Sequence, residues 1–101
     1  MHLMTTLFGS GTLEAVEGQK LPTEYALQMY ASHGELRFGG DLHFERAVPA
    51  GVVVGRKMYL ELQSGESVLI SLSELQQGDI VGRAEIHEGL LPILYPGMRL
   101  H

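Results

Sequence analysis

Apolar and polar side chains alternate with a period of two residues on both sides of a short polar connection in the middle of the chain. The alternation covers residues 57–63 and 68–73, and Ser64-Gly65-Glu66 separates its two halves. Its apolar positions are Met58, Leu60, Leu62, Val68, Ile70 and Leu72. Because successive side chains of a β-strand point to opposite faces, this pattern predicts a β-hairpin with one buried face.

A second alternation, over residues 23–31, allows two interpretations. Its apolar side consists of Tyr25, Leu27, Met29 and Ala31. A strand with one apolar face explains this spacing, and the surrounding β-rich sequence favours it. A helix is the alternative, because the segment contains good helix formers and because Tyr25 and Met29 are four residues apart.

Glycines interrupt the two other long candidate strands. Residues 3–8 and 12–16 are predicted to form one strand that is broken at Gly9-Ser10-Gly11. Residues 17–22 are predicted to form a loop. Residues 35–45 alternate again, but Gly39-Gly40 divides them. This glycine pair predicts either a second hairpin turn or a sharp bend in a barrel.

The remaining segments before the C-terminal tail are short. Residues 52–54 are three valines between glycines and predict a brief buried strand. Ser73 and Gln76 have the spacing of a capping box, which predicts one helical turn within residues 73–79. Residues 80–87 predict a last strand, with Ala84 and Ile86 facing inward.

The C-terminal segment, residues 89–101, is the most apolar part of the chain. Pro92 and Pro96 prevent it from continuing a regular ladder. It either folds back over an open end of the barrel or packs against a second copy or another protein. Together with two tyrosines on the polar faces of their strands, it gives the predicted interface: Tyr30, Tyr59, Leu90, Leu91, Ile93, Leu94, Tyr95 and Met98.

These patterns predict a single all-β domain over residues 1–101, with residues 89–101 as an apolar tail. We expect six or seven short, mostly antiparallel strands in a small barrel or sandwich, with at most one helical turn. A β-rich α+β fold in which residues 23–31 are helical is the alternative.

Charge and composition narrow the function. The formal net charge is −5 and the basic residues are scattered, so nucleic acid is not an expected partner. The chain has no cysteine, which excludes disulfides and thiolate chemistry. No signal peptide and no long apolar run are recognisable, so we expect a soluble cytoplasmic protein that does not bind membranes.

Two acid-x-His pairs are the only grouping that suggests metal chemistry. Asp41 and His43, and likewise Glu85 and His87, are spaced to share the outer face of a strand. If the two strands were neighbours, four ligands suited to a divalent metal would converge. The alternative is that all four are ordinary solvent-facing residues. No phosphate-binding loop or nucleophile elbow occurs, and no cofactor is predicted.

The sequence therefore favours a non-enzymatic protein-binding or accessory module that self-associates, as a homodimer, through its apolar tail. One alternative is a β-barrel that binds a small ligand or a divalent metal. The other is a small hydrolase or isomerase that uses His43 or His87 as its acid or base.

Overall fold

The computed structural model of this chain describes residues 2–14, 18–49, 52–76, 78 and 80–94. Within them, six antiparallel strands close into a barrel and one short helix follows. The elements are β1 (His2–Glu14), β2 (Lys20–Ser32), β3 (Glu35–Phe44), β4 (Lys57–Glu61), β5 (Ser67–Gln76), β6 (Val81–Glu88) and α1 (Leu90–Leu94). The predicted all-β fold is confirmed, and of the two predicted architectures, barrel or sandwich, it is the barrel.

The strand order around the barrel is β1-β2-β3-β6-β5-β4. Two three-stranded meanders, β1–β2–β3 and β4–β5–β6, are joined by residues 45–56. The barrel closes where β3 pairs with β6 and where β1 pairs with β4. The predicted central hairpin is β4–β5. The strand interpretation of residues 23–31 is also confirmed, because they lie inside β2 and pair with both β1 and β3.

The core consists of the apolar face that the alternation defines. The largest side chains with almost no exposed surface are Phe44, Leu13, Leu27, Met29, Leu42, Leu60, Ile70, Leu72 and Leu90. Each strand that contributes to this interior places its intervening residues on the outside, as a half-buried sheet requires. Side chains therefore fill the interior of the barrel.

The two ends of the barrel are covered by different segments. Residues 45–49 and 52–56 lie at the end where β3 stops and β4 starts, with Val52 buried and Val48 packed against the core. At the opposite end, α1 buries Leu90 and packs Ile93 and Leu94 against the same core. Residues 90–94 thus fold back on their own barrel, which is the first of the two alternatives considered for the tail.

The glycines within β1 and β3 make room for close neighbours. Neither Gly9 and Gly11 in β1 nor Gly39 and Gly40 in β3 form a turn. β1 is continuous from His2 to Glu14, and a side chain at Gly9 would overlap the hydroxyl of Tyr25. β3 is continuous from Glu35 to Phe44. A Cβ at Gly40 would lie 2.8 Å from the backbone oxygen of Ala26 on β2. The predicted break in the first strand and the predicted turn at Gly39-Gly40 were therefore wrong.

Three further local predictions were wrong because pairing and packing override short sequence signals. Residues 73–76 belong to β5, where Glu74, Leu75 and Gln76 pair with β6, and the helix lies at residues 90–94 instead. β2 already begins at Lys20, inside the predicted loop. Residues 52–54 form no strand, and only Val52 among the three valines is buried.

Candidate functional site

Strand β1 is much longer than the strand that closes the barrel against it. β2 pairs with β1 along nearly its whole length, from His2 to Glu14. On the other side, β4 pairs only with Thr12–Glu14. Among the described residues, the part of β1 before Thr12 therefore has a strand partner on one side only, which leaves an edge of the sheet open. We call residues 3–9 of this edge the β1 edge.

The hydrogen bonds of Gln63 mark where the β1 edge ends. The backbone N–H of Ser10 donates to Oε1 of Gln63 at 3.3 Å, so this N–H points away from β2. The backbone N–H of Gln63 donates in turn to the Tyr25 hydroxyl at 3.0 Å. In an extended antiparallel strand the N–H and C=O groups of alternate residues point to the same side. Thr6 and Phe8 therefore direct their backbone groups toward the open side.

The β1 edge is apolar and uncharged. Residues 3–13 contain no Asp, Glu, Lys or Arg. Phe8 is 74% exposed and Leu3 is 48% exposed, both on the outer face. Natural proteins usually protect such edges with charged residues, prolines or bulges. Here the described protection is one irregularity of register between Leu3 and Thr5 and the Gln63 side chain at Ser10.

The structure does not bring the predicted tyrosines together. Tyr30 lies on β2 opposite Leu3, and its hydroxyl donates to Oε1 of Gln28. Tyr59 is 57% exposed on β4, where it lies opposite Glu14 and Leu69. β2 and β4 are not neighbours in the barrel. Tyr30 therefore adjoins the β1 edge, whereas Tyr59 belongs to another part of the surface.

The predicted tail residues divide into described and undescribed ones. Leu90 is 1% exposed, and Leu91, Ile93 and Leu94 are half-buried. Tyr95 and Met98 lie outside the described residues. At least for Leu90, the surface offered to a partner is negligible, because the barrel of the same chain already covers it.

Replacement of Leu90 by alanine tests this role of α1. We expect the free energy of unfolding to fall by about 2 to 3 kcal/mol, because a buried leucine leaves a cavity when it is truncated. Leu91→Ala is the matched control and should cost less, since Leu91 is half-buried. Urea denaturation of both variants measures the difference. If both variants lost the same small amount of free energy of unfolding, α1 would not cover the core.

The four predicted metal ligands lie on neighbouring strands, but the register separates them. Asp41 lies opposite Arg83, and its Oδ1 is 3.4 Å from the Arg83 Nε. His43 lies opposite Val81, and Glu85 opposite Gly39. Because β3 and β6 run antiparallel, the two acid-x-His pairs extend in opposite directions. In the part of the chain that the structure describes, no three His, Asp or Glu side chains are grouped to hold a metal ion.

His87 makes a contact that the sequence did not predict. The register between β5 and β6 shifts from Ile70–Ile86 to Leu69–Glu88, so His87 is the additional residue of a β-bulge. Its Nε2 lies 2.8 Å from Oγ of Ser71, a serine that is 7% exposed. A bulge leaves no trace in the apolar alternation, so the sequence pattern alone could not place His87 next to Ser71.

A serine next to a histidine is also the first part of a nucleophile–base arrangement. Catalysis needs a third group to orient the histidine and access for a substrate. Within the described chain, the other ring nitrogen of His87 has no hydrogen bond to a carboxylate, and Ser71 is almost completely covered. The contact is therefore best explained as a link between β5 and β6.

A double-mutant cycle with Ser71→Ala and His87→Ala measures this link. We expect each single variant to lose about 1 kcal/mol of stability and the two losses to be non-additive, because both remove the same hydrogen bond. Thermal denaturation of the four proteins gives the coupling energy. Strict additivity would mean that the two side chains do not interact in solution.

The larger surface depressions are lined by charged as well as neutral residues. One, with a volume of about 400 Å³, lies where β3 and β6 diverge and is lined by Tyr30, Arg37, Arg83, Glu85 and His87 among others. Arg37 pairs with Glu35 at 3.8 Å, and Arg83 pairs with Asp41. Each guanidinium thus already has a carboxylate neighbour, so the groove provides no free pair of cations for an anionic ligand.

The fold and the β1 edge define the class of this molecule: a small closed antiparallel barrel in which part of β1 forms an open strand edge. Comparisons with protein-family models, with curated proteins and with solved structures give no match to the chain. Within the described residues, no helix is long and apolar enough to cross a membrane.

Proposed function

We propose that this protein is a non-enzymatic binding module whose β1 edge takes an extended segment of a partner protein as an additional strand. The observation that carries the proposal is the one-sided pairing of β1 before Thr12. The backbone groups of Thr6 and Phe8 face this open side. They supply the hydrogen bonds that an added strand needs.

Strand addition combines two sources of binding free energy. The backbone hydrogen bonds provide affinity for any extended segment, and the side chains of alternate residues provide specificity. Within the β1 edge, the exposed Phe8 offers a large apolar surface on the outer face of the sheet. A partner strand with an apolar residue at the matching position would cover it.

The β1 edge supports a binding role better than the tail does. The earlier expectation relied on apolar residues 89–101, but Leu90 is buried and Ile93 and Leu94 pack on the core of the same chain. Phe8 has no comparable cover. The apolar surface available for binding, within the described residues, is therefore greatest beside β1.

A displayed library of extended peptides about seven residues long tests the proposal, since strands of this length match the β1 edge over residues 3–9. Peptides are selected on the wild-type protein and then measured against Thr6→Pro. Proline removes the outward N–H at position 6 and is tolerated on an edge strand. We expect the selected peptides to lose at least about tenfold in affinity, because one backbone hydrogen bond contributes about 1 kcal/mol and the ring also obstructs pairing.

Val53→Lys is the matched control. Val53 is exposed in the connection that covers the opposite end of the barrel, so this variant should bind the peptides as the wild type does. The melting temperature of Thr6→Pro shows whether the barrel remains folded. Selected peptides that bind Thr6→Pro and wild type equally well would refute binding at the β1 edge.

A further inference from the structure

We infer that the strand held by the β1 edge is β1 of a second copy of this chain, an inference that rests on the proposed function. Two β1 strands would run antiparallel about a two-fold axis. The two meanders β1–β2–β3 would then form one continuous sheet of six strands across the dimer. Such an interface is isologous, since the same residues of both copies face each other.

The distribution of charge directs a second copy to the β1 edge rather than to other parts of the surface. The chain has a formal net charge of −5, so most of its surface repels another copy of itself. Residues 3–13 are free of charged side chains, and the first carboxylate of the chain is Glu14. An uncharged strand is its own complement, because no like charges meet when it pairs with itself. The β1 edge is therefore where two copies approach with least repulsion.

The position of Phe8 gives this pairing an apolar contribution. If Thr6 lies opposite Thr6 of the other copy, the two Phe8 side chains fall on the same outer face of the joined sheet, on either side of the axis. Each Phe8 ring, which is 74% exposed in the single chain, would then be partly covered by the first residues of the other copy's β1. Thr5 and Thr6 are β-branched, which suits them to a central strand of the joined sheet.

The ends of the β1 edge limit the pairing to two copies. Gln63 occupies the backbone N–H of Ser10, and the register is irregular between Leu3 and Thr5. The available segment is therefore short, roughly five to seven residues or about 20 Å at 3.3 Å per residue. Two-fold pairing uses the β1 edge of both copies. We expect a dimer that forms in the micromolar range, as small interfaces do.

Amide hydrogen exchange at several protein concentrations tests the inference. In a single chain, the N–H groups of Thr6 and Phe8 face solvent, whereas those of Thr5 and Leu7 face β2. We expect the exchange of Thr6 and Phe8 to slow by at least about tenfold as the dimer becomes populated. Thr5 and Leu7 serve as internal controls, because they should be protected at every concentration.

Sedimentation equilibrium on variants supplies the second measurement. Thr6→Pro and Phe8→Lys should be monomeric at concentrations where the wild type is dimeric, and Val53→Lys should dimerise like the wild type. Dimerisation with Thr6 and Phe8 still unprotected would overturn the inference, because another surface would then join the copies. So would a wild type that remains monomeric at millimolar concentration.

These experiments distinguish a failure of self-pairing from a failure of strand binding at the β1 edge. A monomeric wild type whose Thr6 and Phe8 amides become protected by a selected peptide would refute self-pairing and leave strand binding intact. If neither a second copy nor any selected peptide protects these amides, strand binding at the β1 edge is refuted as well.

Discussion

Replacement of Gly11 by alanine is expected to lower the free energy of unfolding by about 4 kcal/mol, one of the two largest effects of a single substitution that we predict. A Cβ at this position would overlap the backbone carbonyl oxygen of Glu61 on β4 and would also lie 3.2 Å from the Tyr25 ring. A backbone atom cannot move aside as the end of a side chain can. The substitution would therefore push β4 away from β1 at the seam that closes the barrel.

Gly39→Ala is the matched control for Gly11→Ala, because both glycines lie within strands. At Gly39 the nearest atom to a new Cβ is the backbone oxygen of Ala84 at 3.2 Å, a tight contact that a small shift relieves. We expect a change within about 1 kcal/mol. Urea denaturation compares the two variants, and the loss at Gly11 should correspond to a fall of roughly 15 to 30 °C in melting temperature. Similar stabilities would show that β1 and β4 are not in close contact.

Replacement of Phe44 by alanine should destabilise the protein by about 4 kcal/mol, whereas Phe8→Ala should change its stability by less than about 0.5 kcal/mol. Phe44 is buried at the end of β3, where its N–H also donates to the backbone oxygen of Ile80 at 2.8 Å. Truncation there leaves a cavity in a filled interior. The ring of Phe8 is exposed, so truncation removes few contacts within the single chain.

Denaturation should be measured at a protein concentration at which the wild type is monomeric, because dimerisation would add stability to the wild type by mass action. Under those conditions a large loss for Phe8→Ala would mean that this ring packs within its own chain. That outcome would also remove the apolar surface on which the proposed pairing of two β1 strands depends. At high concentration, Phe8→Ala should reduce dimerisation without affecting the fold.

The proposed role of the β1 edge accounts for an apolar residue on the outer face of the barrel, Phe8, which is 74% exposed among the described residues. Phe8 occupies a position that the alternation assigns to solvent, and a lysine or glutamate there would favour the monomer. The chain carries twelve carboxylates, yet none before Glu14. This absence of charge beside an open strand is the feature that the proposed function and the inferred dimer both explain.

The metal hypothesis shows how register limits inference from spacing. The sequence placed Asp41 and His43 on one strand face and Glu85 and His87 on another, and the two strands are indeed neighbours. Which residues lie opposite each other depends on where the strands align. That alignment is set by core residues such as Leu42, which lies opposite Gly82. Shifting it would have moved apolar side chains out of the core.

The sequence by itself identified most of the buried positions and favoured an all-β fold, because a sustained alternation of period two matches a strand with one buried face. It also determined that residues 3–13 carry no charged side chain. The tertiary structure alone decided that β1 and β3 continue through their glycines, that a bulge brings His87 to Ser71, and that β4 covers only the last part of β1. These features depend on contacts between residues far apart in the chain, and local patterns contain no information about where distant strands align or end.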